Sequence, residues 1–162
     1  MQTMRSDNIE AAVVQMFDPR RCLIVPRITY VKRIISHECD LLICTANNYL
    51  IEVEIKTSAS DIRADVKKRH QHRSDYIKHL YFAIPKKLCT EANLKYIPAD
   101  AGVITVDEVQ ASFGTFYMAS YHRRAKVRGK QKISDNDLIF ILRNLQMKFW
   151  SNLNHKRLKS KQ

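Results

Sequence analysis

Residues 38–56, ECDLLICTANNYLIEVEIK, gather four acids and one lysine at a spacing suited to phosphodiester chemistry. Leu41, Ile43, Ile51, Val53 and Ile55 fall on every second position, the period of strands with two distinct faces. Ala46-Asn47-Asn48 breaks the run, and Asn tolerates the left-handed backbone of a tight hairpin. With the turn centred on Asn47, Asp40 faces Glu54, Leu42 faces Glu52, and Glu38 faces Lys56. Opposed side chains start about 5 Å apart at Cβ, which lets two carboxylates share one divalent cation. The odd-numbered residues then point into a core, and a one-residue slip would turn one strand's acids into that core. A hard cation such as Mg²⁺ takes oxygen ligands, polarises a phosphodiester and lowers the pKa of a bound water. Lys56 would orient that water and offset charge on the phosphorane. The competing reading is a solvated acidic face, on which Asp40 and Glu54 repel and only Glu38 and Lys56 compensate.

The elements that must hold these groups follow from the flanking sequence. Ser6-Asp7-Asn8 predicts the cap of a first helix reaching about Phe17, with Ile9, Val13, Met16 and Phe17 as its apolar stripe. Glu10 borders that stripe and reads equally as an ordinary first-turn acid. Residues 22–25 read as a strand, and Pro26 restricts it to an edge or an end. Residues 27–36 continue the sheet after a bend. Ser58 or Ser60 caps a helix over residues 60–73, whose aliphatic stripe is only Ile62 and Val66. His70 and His72, two apart on that helix, read as surface residues. Apolar runs at 80–84 and 102–106, separated by a short helix at 86–93, imply parallel neighbours with right-handed crossovers. Residues 113–121 add an edge strand. Ser134-Asp135-Asn136-Asp137 caps a last helix whose face of Leu138, Ile141, Leu142, Leu145, Phe149 and Leu153 is spaced to dock.

The arrangement resembles the PD-(D/E)XK nuclease superfamily, with Asp40 as the first acid and Glu54-Ile55-Lys56 as the E-x-K. Cys39 stands where that superfamily usually has proline. Further segments are similar to the MmcB-like DNA-repair family: Ser60-Asp61-Ile62-Arg63-Ala64-Asp65-Val66-Lys67, Tyr81-Phe82-Ala83-Ile84-Pro85, and Pro98-Ala99-Asp100-Ala101-Gly102-Val103-Ile104. The likeness spans roughly residues 37–107 in one order, and more weakly the C-terminal helix. It implies an α/β fold, a restriction-endonuclease-like core with a mixed central sheet flanked by helices. It also implies a DNA repair or recombination nuclease with Asp40 and Glu54 holding Mg²⁺ or Mn²⁺ beside the Ile55 carbonyl. Lys56 would position the attacking water, and Glu10 would join the ligands, since related nucleases carry a glutamate on this helix. Glu38, as a holder of Lys56, and Glu52, as a ligand for a second metal, follow behind.

Charge points to the partner. The chain of 162 residues carries 28 basic against 16 acidic residues, a net +12, and neutralising nucleic-acid phosphates releases counterions. Arg63, Lys67, Lys68, Arg69 and Arg73 make the second helix basic, and its N-terminal dipole points toward the site. Residues 122–132 hold six basic side chains and no acid: Arg123, Arg124, Lys126, Arg128, Lys130 and Lys132. Such a run is either a self-repelling mobile loop or a DNA-binding arm. No apolar run approaches the roughly 20 residues of a membrane span, and MQTMRSDNIE lacks a signal peptide's apolar stretch. Cys22, Cys39, Cys44 and Cys89 have no C-x-x-C spacing, as expected of core thiols in a reducing, cytoplasmic setting. One domain over residues 1–154 and a basic tail over 155–162 are expected. A DNA-binding protein that keeps the nuclease fold without cutting is the main rival, followed by an RNA-directed nuclease or a structural partner in a repair complex. Pairing into a homodimer is compatible with the residues.

Overall fold

The alternation at residues 38–56 becomes a two-stranded ladder, β2 (Cys39–Cys44) against β3 (Leu50–Ile55). Leu42 pairs with Glu52 and Leu41 with Val53, the register expected from a turn centred on Asn47. Asn48 takes a φ of 60°, the left-handed conformation that the hairpin requires. The computed structural model describes residues 4–31, 33–65, 72–112 and 114–159, with side chains of the last helix described to Leu153. It divides into two compact units, Met1–Lys132 and Ile133–Gln162.

In the first unit, helix α1 (Ser6–Phe17) leads into β1 (Leu23–Ile28), which pairs antiparallel with β2. Arg5 is the cap residue of α1 without a side-chain cap bond, so Ser6 lies inside the helix rather than capping it. Pro26 sits in β1, which among the described residues pairs only with β2, and an edge strand tolerates its missing N–H. Helix α2 (Ala59–Asp65) joins β3 to β4 (Ile77–Pro85). A 3₁₀ turn (Lys86–Leu88) and α3 (Glu91–Leu94) join β4 to β5 (Gly102–Ala111), and β6 (Gly114–Arg123) closes the sheet. Strand order is β1-β2-β3-β4-β5-β6, with the β3–β4 and β4–β5 pairs parallel and the other pairs antiparallel. A mixed six-stranded sheet flanked by helices is the restriction-endonuclease-like arrangement.

Both sheet faces are covered. Ile9, Ala12 and Val13 of α1 pack on Leu41, Ile43, Val53, Ala83 and Ile104. On the opposite face Ile62 and Ile97 pack on Leu80, Phe82, Ile84 and Val103. Each such aliphatic side chain removed from water contributes about 1.5–3 kcal/mol. The central strand β4 is buried without a break from Leu80 to Pro85, as befits a parallel strand covered on both sides.

Residues 126–131 are not a free loop. Arg128 and Gly129 donate backbone N–H bonds to the carbonyls of Lys78 and Ile77, and Gln131 donates to that of Asp75. β5 pairs with β4 only from Tyr81 onward, so the first half of β4 has an open edge that this basic segment fills. In the second unit, helix α4 (Asp135–Lys159) continues into the residues expected to form a tail. Ser134 and Asp137 make a reciprocal cap, Ser134 N–H donating to the Asp137 carboxylate and Asp137 N–H to the Ser134 hydroxyl. Leu142 and Phe149, expected on the docking face, are exposed.

Candidate active site

Period two on β3 sends Glu52, Glu54 and, one residue past the strand, Lys56 to the same face. That face is not solvated: the three residues are 0%, 2% and 7% exposed. They share it with Leu80 and Phe82, the partners of Glu52 and Glu54 on β4. Three ionisable groups in such surroundings persist only if each finds an opposite charge or a hydrogen bond.

Lys56 meets that condition with two carboxylates. Its Nζ lies 2.7 Å from Glu54 Oε2 and 2.8 Å from Asp65 Oδ1. Asp65, the last residue of α2, is buried because it lies one helical turn from Ile62 on the docked side. Its other oxygen, Oδ2, is 3.0 Å from His72 Nε2, and His72 Nδ1 is 2.6 Å from Glu52 Oε1. His37 Nε2 reaches the same Glu52 oxygen at 2.7 Å. Carboxylate oxygens only accept, so both His72 nitrogens carry protons and the ring is an imidazolium. Positive Lys56 and His72 thus alternate with negative Glu54, Asp65 and Glu52. Phe82 floors the network, its ring centroid 5.9 Å from Lys56 Nζ and 6.1 Å from that of His72.

The charges follow from these contacts. Burial alone would lower the His72 pKa, but hydrogen bonds to Asp65 and Glu52, with the Glu52 and Glu54 charges, raise it from 6.5 to about 9. Burial would raise Glu52, yet its bonds to His37 and His72 hold the carboxyl below its ordinary value. Cys39 is pushed well above the usual thiol value, first by burial and then by Glu52, Glu54 and Asp40, so it is an inert thiol.

At the surface end of the network, Glu38, Asp40, Glu54, Ile55, Lys56 and Asp65 line one cleft. Asp40 is half-buried, and its Oδ2 accepts the Ile55 backbone N–H at 2.8 Å, which orients the carboxylate across the hairpin. Glu38 is exposed at the rim, and Lys56 is held by Glu54 and Asp65 in the place expected of Glu38. Glu10 is not brought to this cleft. It is carried by α1 on the opposite sheet face, with Arg27 3.9 Å away.

The family profile of the MmcB-like DNA repair proteins matches residues 3–137, most of the chain. The chain belongs to the MmcB-like DNA repair protein family. Membership places this MmcB-like chain among DNA repair proteins and agrees with the segments quoted from its sequence. No curated relative matches. A solved structure, a protein of unknown function from Silicibacter pomeroyi, aligns with a TM-score of 0.62 at 16% identity, covering 97% of this chain and 92% of that one. That likeness establishes the shared fold. Among the described residues of this MmcB-like chain, no helix is long and apolar enough to cross a membrane.

The basic residues divide by what they touch. Arg123 donates to the carbonyls of Ala101 and Pro98, at 3.0 and 2.9 Å, and so fastens the entry to β5. Arg128 lies 3.0 Å from Asp100 and reaches the His72 carbonyl. Arg124 stacks on Tyr121 at 3.6 Å. Arg63, Lys126 and Lys130 are exposed, while Lys67, Lys68 and Arg69 lie outside the described residues.

His72 corrects the expectation of a surface residue. A helix over residues 60–73 would carry it; α2 is described over Ala59–Asp65, and His72 stands in a turn with φ 51°. Two-residue spacing therefore says nothing about which way its ring faces. His70 lies outside the described residues. His37 and Asp65 join the network without having stood out in the sequence. For Asp65 a signal existed, its three-residue spacing from Ile62; for the histidines there was none.

Proposed function

We propose that this chain is a metal-dependent nuclease that hydrolyses DNA phosphodiester bonds. The observation that carries the reading is one cleft lined by Asp40, Glu54, Ile55 and Lys56, with the lysine buried and fixed by carboxylates. Two carboxylates and a backbone carbonyl form an all-oxygen donor set, which fits Mg²⁺ or Mn²⁺. Asp40, Glu54 and the Ile55 carbonyl would hold the ion. When bound, it supplies Lewis-acid polarisation of the phosphate and a lowered pKa for the attacking water. Lys56, held between Glu54 and Asp65, would donate a hydrogen bond to that water and offset charge developing on the phosphoryl oxygens. Glu10 is left out of the ligand set because it does not line this cleft.

Exposed Arg63, Arg124, Lys126 and Lys130 would contact flanking phosphates, with Lys67, Lys68 and Arg69 extending the set by sequence. Arg123 and Arg128 would act through the loops they fasten.

The test is cleavage of labelled single-stranded, duplex and branched DNA with Mg²⁺ or Mn²⁺, alongside RNA of matched sequence. Wild type is expected to cut DNA, and Glu54→Gln and Lys56→Ala are expected to bind it without cutting. Tight binding with no cutting by wild type would replace this reading with that of a non-catalytic DNA-binding protein.

A further inference from the structure

We propose that His37, Glu52 and His72 form a second metal site, taking a borderline divalent ion such as Zn²⁺, separate from the oxygen-lined cleft. The proposal does not depend on nuclease activity. His37, Glu52 and His72 come from three different segments, and one ligand atom from each lies within 4.8 Å of the others. His37, Glu52 and His72 are 8%, 0% and 3% exposed. Two imidazole nitrogens and one carboxylate oxygen are a zinc donor set, and they leave a fourth position open. About an ion roughly 2.1 Å from each donor, tetrahedral neighbours stand about 3.4 Å apart. The two histidines, now at 2.7 and 2.6 Å from Glu52, need only withdraw by less than about 1 Å.

Two further observations point to a cation at this place. Glu52 Oε2 is fully buried and has no hydrogen-bond partner among the described residues. A buried carboxylate oxygen left in that state is costly, and an ion held through both oxygens of Glu52 relieves it. Second, His72 already has the outer partner that metal-bound histidines carry. Its Nε2–H points at the Asp65 carboxylate, 3.0 Å away, which fixes the ring with Nδ1 toward Glu52 and His37. In the metal-free chain a proton occupies Nδ1, and the ion takes its place.

The neighbouring group of Glu54, Asp65 and His72 is also compact, but Lys56 already supplies its cation, 2.7 and 2.8 Å from the two carboxylates. In the His37–Glu52–His72 group, the hydrogen-bond partners described for the Glu52 carboxylate are the two histidines themselves. His72 and Asp65 also line a cleft with Arg73, Tyr96, Asp100 and Arg128, which offers an ion a route inward. Asp65 would then join the two sites, one oxygen on Lys56 and the other on His72.

The experiment strips the 162-residue chain with EDTA, offers Zn²⁺ or Co²⁺, and measures bound metal by mass spectrometry and the visible bands of cobalt. One Zn²⁺ per chain is expected to remain in millimolar Mg²⁺. Folded His37→Gln and Glu52→Gln proteins, checked by circular dichroism, should bind it at least roughly 100-fold more weakly, and Asp65→Asn roughly 10–100-fold more weakly, as outer partners do. Asp40→Asn should keep the ion. Absence of retained zinc in wild type would overturn the proposal, as would undiminished binding by either glutamine variant. Loss of zinc in Asp40→Asn would assign the ion to the oxygen-lined cleft and equally overturn it. Zinc bound as expected by a protein that cuts nothing would leave this site standing while the nuclease reading falls.

Discussion

Raising the pH from about 6 to about 9.5 in EDTA removes the proton that ties His72 to two carboxylates, and the chain should lose stability in that window. The fold raises the His72 pKa from 6.5 to about 9, so folding favours the protonated ring. Its contribution is therefore complete below 6.5 and disappears as pH rises through about 9. A separation of roughly 2.5 pH units at 1.36 kcal/mol per unit corresponds to about 3 kcal/mol. His72 is buried, so solvent screening does not dissipate that sum, and it is a large part of the 5–15 kcal/mol usual for a domain. Urea unfolding followed by circular dichroism, comparing wild type with His72→Gln across the window, isolates this group. The raised Tyr121, Cys44 and Cys89 groups are common to both proteins and cancel. The stability gap between the two should narrow by about 3 kcal/mol from the acid to the alkaline end. A gap that stays constant with pH would refute an imidazolium held between Glu52 and Asp65. Glu52 has the opposite sign: its lowered carboxyl contributes above the ordinary value of 4.5 and loses that contribution as pH falls through its folded value.

Three other sets of substitutions test how the buried and exposed charges divide the work. Asp65→Ala leaves Lys56 and His72 each short of one carboxylate, and should cost about 3–5 kcal/mol in thermal or urea unfolding. The pair Lys126→Ala and Lys130→Ala should leave stability unchanged. It should make DNA binding less sensitive to salt, by about one released counterion for each phosphate that the two lysines neutralise. Arg123→Ala should do the reverse, losing stability through the carbonyls of Ala101 and Pro98 with little change in the salt slope.

Much of the fold is written locally. The two-residue period at 39–44 and 50–55 fixes the β2–β3 register, because any slip would bury the wrong side chains, and Asn48 supplies the turn. The unbroken apolar run of β4 announces a central parallel strand, and Pro26 marks an edge. The same period brings Asp40, Glu54 and Lys56 to one cleft, so that cluster was legible from spacing alone. What the sequence could not say was how deep the face lies. Glu52, Glu54 and Lys56 look like solvated charges by residue type, and only the folding of distant segments over that face buries them.

The partners that make this burial tolerable come from far along the chain. His37 precedes β2, Asp65 lies in α2 and His72 stands in a turn with φ 51°, and their meeting with Glu52 and Lys56 depends on how these separate segments are brought together. The basic segment at 126–131 shows the same division. Its charge is plain in the sequence, but its attachment to the open edge of β4 exists only because β5 begins pairing at Tyr81. Sequence by itself determined the β2–β3 hairpin, its register and the acids that share a face, since these follow from short-range periodicity and steric rules, while residues 27–36, expected to continue the sheet, leave it after Ile28. Tertiary structure decided which charges are buried and what neutralises them, because desolvation and ion pairing depend on distances between residues that no local pattern encodes.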